Sequence, residues 1–269
     1  MNSSSSAACA LAIAGSDSGS SAGIQADLKT FAAHGIHGLT AITSVTAQNT
    51  REITAVRVLS PQIVLAQLDA VLADFRIAAV KTGMLGSVAN VRAVSRWLRD
   101  YRLPNVVVDP VLVASSGSRL LAAGALSTLR RDLLPLARVL TPNVPEAEAL
   151  LERPIRSFAE MRAAAHDLRA LGAHAVLIKG GHLDGTPLRD YFLDDEGELE
   201  FRHRRRNYAV RGTGCSLASA IAAGLAHGLP LRTAVEHAER YLQSAFASAR
   251  RYGRGPLRTL QHDASRGRD

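Results

Sequence analysis

Short, mainly apolar runs alternate with amphipathic segments along most of this chain. The runs cover 9–14, 39–45, 77–80, 106–108, 138–140 and 173–178. A strand that is apolar on both faces belongs in a sheet covered on both sides, as in parallel strands joined by helices. Between the runs, 24–34, 63–72, 87–102, 125–134 and 231–250 carry helical periodicity. Ser60 and Pro61 offer a cap and a first-turn proline to the second of these. Ser157 and Glu160 match a capping box for a further helix that Gly172 closes. Residues 53–58 read as an edge strand, and 189–193 and 198–202 as a hairpin about 194–197. The pattern predicts one α/β domain over 7–260, with a disordered tail at 1–6 and a polar tail at 261–269.

Composition narrows the function classes. The net charge is +8, from 32 basic and 24 acidic residues, and only Lys29, Lys81 and Lys179 are lysines. Such an arginine skew reflects genome composition rather than a nucleic-acid surface. The densest basic run, 202–206, has few aromatics near it and reads as a solvated strand edge or loop. Cys9 and Cys215 make neither a disulfide framework nor a metal spacing, which fits a reducing cytoplasm. No apolar run is long enough to span a bilayer, and 7–14 lacks the basic flank of a signal peptide. No nucleic-acid or membrane partner is expected.

The chemistry-bearing residues sit at the ends of the apolar runs. A small-residue loop starts at Gly15. Gln48 follows the second run, Met84 the third, Asp109 the fourth, Asn143 and Glu146 the fifth, and Lys179 the sixth. In a parallel sheet those ends share one edge, where open α/β sheets bind ligands. Each has a plainer reading: a satisfied turn for Gln48, core filler for Met84, a turn or helix cap for Asp109, a favourable helix-start charge for Glu146. Arg211-Gly212-Thr213-Gly214-Cys215 then precedes a long run of helix formers. Unpaired amides at a helix start and a glycine-permitted close approach make an anion site. Cation, carboxylates and anion hole together are the parts that phosphoryl transfer uses.

The combination resembles the hydroxymethylpyrimidine/phosphomethylpyrimidine kinases of thiamine biosynthesis, in the ribokinase superfamily. The likeness rests on ALAIAGSDSGSSAGIQADLKTF (10–31), TAQNT (46–50), KTGML (81–85), VVVDPV (106–111), LTPNVPEAEAL (140–150), LIKGGH (177–182) and GTGCSLASAIA (212–222). It implies a ribokinase-like fold, with a central, mostly parallel sheet flanked by helices on both faces and a small β-flap. It implies ATP-dependent phosphorylation of 4-amino-5-hydroxymethyl-2-methylpyrimidine, then of its monophosphate. Gly15, Asp27, Gln48 and Met84 would surround the pyrimidine. Asp109, Asn143, Glu146, Lys179 and Thr213 would serve ATP, with Asp109 and Glu146 on Mg²⁺ directly or through water. Gly212, Thr213 and Gly214 would form the anion hole, with Lys179 beside it. The resemblance also implies a homodimer and leaves a K⁺ requirement open.

Cys215 stands where many superfamily relatives carry a general-base aspartate. A helix N-terminus lowers a thiol pKa, so the expectation is a thiolate that takes the alcohol proton or orients the hydroxyl. Arg211 stands where histidine is common, and either touches ATP phosphate or is exposed. The loop SDSGSSAG (16–23) lacks the family's usual proline and paired glycines. The rival readings are a pyridoxal/pyridoxine kinase and a non-catalytic pyrimidine-binding module.

Overall fold

A computed structural model describes Ala7, residues 9–112 and residues 124–263. The expected tail at 1–6, most of the loop after Pro110, and 264–269 lie outside the described residues. In chain order the elements are β1 (Cys9–Asp17), α1 (Gly23–Ala33), β2 (His37–Gln48), β3 (Ile53–Val58), α2 (Pro61–Asp74), β4 (Ile77–Thr82), α3 (Val88–Asp100) and β5 (Val106–Val108). Then follow α4 (Ala125–Thr128), β6 (Val139–Leu140), α5 (Val144–Leu151), α6 (Phe158–Ala170), β7 (Val176–Ile178), β8 (Leu188–Asp194) and β9 (Gly197–His203). The chain closes with β10 (Val210–Arg211), α7 (Thr213–Ala226), α8 (Leu231–Ala247) and β11 (Arg258–Thr259).

Nine strands form one sheet in the order β3-β2-β1-β4-β5-β6-β7-β8-β9. The central strands are parallel, while β3 at one edge and β8 and β9 at the other run antiparallel to their neighbours. Strand alternation divides the core in two. Leu11, Ile13, Val106, Val108, Val176 and Ile178 face α2, α3, α5 and α6, whereas Ala10, Ala12, Val107 and Leu177 face α1, α7 and α8. The second face is built small on small. The alanine-rich α7 is buried from Ser216 to Ala226 and packs onto Ala10, Ala12 and Ala79.

Several expected boundaries move, each for a local reason. β1 and β2 both run beyond their apolar cores, to Asp17 and Gln48, because β2 pairs with β1 on one side and β3 on the other. The β2–β3 ribbon is the β-flap. Ser60 makes no side-chain cap, and α2 starts on Pro61 alone. The expected helix over 125–134 keeps α-helical bonding only to Thr128. It then loosens to a wider turn over Leu129–Leu133 and tightens at Leu134–Leu136, where Pro135 has no amide to donate. Ser157 accepts from the Glu160 amide, but the Glu160 carboxylate turns to Arg156, so that box is half made. The complete box belongs to Asn143 and Glu146.

After α8 the chain returns, and within the expected domain β11 pairs in parallel with β10. Leu260 and His262 are buried. The His262 Nδ1 lies 2.9 Å from the Tyr241 hydroxyl and 3.3 Å from that of Thr30. Burial, with the Lys29 and His34 charges assisting and Asp263 opposing, pulls this imidazole down to about 4. Unfolded, it titrates near 6.5. The unfolded chain therefore takes up a proton that the docked segment refuses, and stability present above pH 6.5 is lost as pH falls towards 4. The loss approaches about 3 kcal/mol by the usual conversion. Melting curves at pH 7.5 and 4.5 should show His262→Gln losing less stability over that interval than the parent chain.

Candidate active site

The C-terminal ends of the parallel strands and the start of α7 enclose a cavity of about 950 Å³. β1 and β2 supply Gly15 and Gln48, and Met84 follows β4. Asp109 follows β5, Asn143 and Glu146 open α5, and Lys179 follows β7. Gly212, Thr213, Gly214 and Cys215 close the ring from the start of α7. Residues 15 to 215 thus meet because each follows an element that points the same way.

Local bonding fixes these positions. The Thr43 hydroxyl donates to the Met84 carbonyl at 2.5 Å, holding the methionine against Gly15 and Ser44. Asn143 accepts from the Glu146 amide at 2.9 Å, and Glu146 accepts from the Asn143 amide at 2.8 Å. One carboxylate oxygen of Glu146 is thereby committed to the backbone. Gly212 adopts φ +80°, and a β-carbon there would overlap the Ser21 carbonyl, so only glycine opens α7 in this way.

Charge converges beside Gly214. Lys179 Nζ donates to Asp109 Oδ1 at 3.2 Å. A β-carbon on Gly214 would sit 3.1 Å from that Nζ and 3.7 Å from both Asp109 oxygens. Burial works against the Lys179 ammonium, but Asp109 and Glu146 outweigh it and raise its pKa. Burial, opposed by Lys179 and reinforced by Asp109, pushes the Glu146 carboxyl up to about 7. Two carboxylates thus share one lysine. Among the described residues no third histidine, cysteine or carboxylate joins them in a close cluster. That donor set suits Mg²⁺, which keeps several waters and draws its other oxygens from phosphates.

Three expectations are corrected. Asp27 does not line the cavity. Its carboxylate is fully buried, accepting from Lys81 Nζ at 2.9 and 3.0 Å and from the Ser219 hydroxyl at 2.8 Å. Arg211 is not exposed: it is 3% accessible, lines the cavity and donates to the Asn49 carbonyl at 2.7 Å. The Cys215 thiol is not lowered. Burial pushes it up to about 12, with Asp109 and Asp27 adding and Lys81 opposing, so a neutral thiol faces the cavity.

The family model for phosphomethylpyrimidine kinase matches residues 17–259. The hydroxymethylpyrimidine/phosphomethylpyrimidine kinase of Rhizobium meliloti is 48% identical over 262 residues, covering 93% of this chain and 96% of that protein. The chain belongs to the phosphomethylpyrimidine kinase family. Among solved structures, the Clostridium difficile phosphomethylpyrimidine kinase is similar to this kinase with a TM-score of 0.80 and 38% identity, over 89% of this chain and 99% of that one. An ADP complex of Bacillus subtilis pyridoxal kinase is similar with a TM-score of 0.90 and 32% identity, over 97% and 99%.

Two parts of the kinase site escape a sequence reading. Asp17 accepts from the amides of Gly19, Ser21 and Ala22, folding the loop that runs into α1. Acceptance by one carboxylate from amides two to five residues ahead is a turn signal that the small-residue composition masked. Lys81 lines the cavity as well as holding Asp27. Its rarity in the chain and its place at the head of KTGML (81–85) were the available hints. Asp27→Ala should strand that ammonium in the core and cost about 3–5 kcal/mol. Urea unfolding measures it, and Asp27→Leu combined with Lys81→Met should recover most of the loss. An unchanged urea midpoint in Asp27→Ala would return Asp27 to substrate contact.

Proposed function

We propose that this kinase transfers the γ-phosphoryl of Mg²⁺–ATP to the CH₂OH of 4-amino-5-hydroxymethyl-2-methylpyrimidine, and then phosphorylates the monophosphate, in thiamine biosynthesis. The observation that carries the reading is the shared cavity. It joins an amide-bearing acceptor wall to a lysine, two carboxylates and a glycine-opened helix start. Gln48, whose amide both donates and accepts, reads the aminopyrimidine edge, and Gly15 leaves room for the ring against Met84. Asp109 and Glu146 would hold Mg²⁺, directly or through water, and the ion would supply charge neutralisation to the phosphates. Asn143 and Lys179 position the nucleotide phosphates. The amides of Gly212, Thr213 and Gly214 stabilise charge on the group in flight.

Cys215 enters this scheme as a neutral thiol that orients the acceptor hydroxyl. A loose phosphoryl-transfer transition state asks little of a base. The exposed Val56 and Val58, on one face of β3, support a homodimer through that ribbon. Two unpaired cysteines support a reducing, cytoplasmic setting. Among the described residues no helix is long and apolar enough to cross a membrane.

The pyridoxal kinase likeness over nearly the full chain favours one second reading, turnover of pyridoxal as a side substrate. Incubation with Mg²⁺–ATP and each acceptor, followed by mass spectrometry, should give the pyrimidine mono- and diphosphates and at most slow pyridoxal phosphate. If no pyrimidine phosphate forms, the proposal fails. Lys179→Ala should slow turnover by about 10²–10³-fold, the usual loss on removing one transition-state donor. Cys215→Ala should lose less than the roughly 10²–10⁴-fold that general-base catalysis supplies. A larger loss, restored by Cys215→Asp, would return the base role to residue 215.

A further inference from the structure

His203 lies within the basic run 202–206, yet its side chain is only 11% exposed. β9 pairs His203 with Leu188 of β8, two residues from Asp190, so His203 and Asp190 occupy one face of the hairpin. α8 brings Glu239 against that face. His203 Nε2 is 3.2 Å from Asp190 Oδ2 and 3.2 Å from Glu239 Oε2, and the three ligand atoms lie within 4.8 Å of one another. Glu239 is 2% accessible, and neither of its carboxylate oxygens makes a hydrogen bond; nor does His203 Nε2. Buried polar atoms are normally hydrogen-bonded, so imidazole and carboxylate atoms that meet only as ion contacts, with Glu239 Oε1 left unpartnered, call for a ligand.

We propose that Asp190, His203 and Glu239 bind a first-row divalent cation of the Zn²⁺ type. Zinc takes imidazole nitrogen and carboxylate oxygen at about 2.0–2.2 Å, and two tetrahedral ligands at that radius stand about 3.3 Å apart. Both His203 separations match that edge. The charge also balances. A neutral imidazole, two carboxylates and a dication sum to zero in a buried place, whereas an imidazolium between two carboxylates leaves one negative charge over. Asp190 keeps its other oxygen for the Gly180 amide, at 2.7 Å. Gly180 follows Lys179, and a β-carbon on it would overlap the Arg189 carbonyl. The ion would therefore fasten β8, β9 and α8 to the turn that carries the phosphate-binding lysine. It is distinct from the Mg²⁺ assigned to Asp109 and Glu146, and it stands whatever acceptor the kinase uses.

The test uses the full-length chain, stripped with a chelator, exchanged into Mg²⁺-free buffer without ATP, and titrated with Zn²⁺ alone. The expected result is about one zinc per chain retained through gel filtration, with a raised melting temperature. His203→Gln and Glu239→Gln should each bind zinc at least about tenfold more weakly and show no such rise. X-ray absorption of the zinc-loaded parent, which needs no variant, should show nitrogen and oxygen at about 2.0–2.2 Å and no sulfur. A parent chain that retains no zinc, a sulfur-containing shell, or equal retention by both variants would overturn the proposal. In each case an imidazolium held between two carboxylates would account for the triad.

Discussion

A single ion pair in the dry interior ties the site to the fold. Lys81 lies one residue before the end of β4, Asp27 faces it from α1, and Ser219 reaches the same carboxylate from α7. Neither charged side chain is accessible to water. An isolated charge there would be far too costly to keep, so the three elements hold one relative position or none. α7 begins with the glycine-threonine-glycine turn, α1 follows the Asp17-folded loop, and β4 leads to Met84. The acceptor wall and the anion hole are therefore aligned by an ion pair at the back of the cavity.

The same economy recurs at α5. Asn143 and Glu146 cap each other's amides while facing the cavity with Asp109 and Lys179. A side chain that serves the backbone has few rotamers left, so the carboxylate is presented in a set direction before any ion arrives. Glu146 is half structural in consequence. Its effects on folding and on phosphate chemistry cannot be separated by truncation alone, and an amide replacement separates them only in part.

Much of this was legible in the sequence because parallel strands put chemistry in a predictable place. Asp109, Asn143 and Lys179 each follow an apolar run, and one topological rule gathers them, while Gly212–Cys215 show as glycines ahead of a run of helix formers. What stayed hidden lacked such an address. Asp27 is one carboxylate in an amphipathic helix, and its partner stands 54 residues away. The neutral state of Cys215 follows from packing around the sulfur, which overrides the helix-end field. Asp190, His203 and Glu239 come from two strands and a helix, with His203 masked by the arginines beside it. β10 and β11 are two residues each, too short to carry any period.

That last pair changes what the end of the chain means. β11 grips the residue before the anion hole, since Thr259 pairs with Arg211, and the Thr259 hydroxyl also meets Ser21 at 3.0 Å. Gly255 bonds to Thr50 just beyond the acceptor wall. The stretch 255–259 is thus a belt buckled over both halves of the catalytic cleft. Affinity tags, fusions or trimming at this terminus act on the cleft itself, and a comparison of kinetic constants between differently tagged preparations is a comparison of different belts.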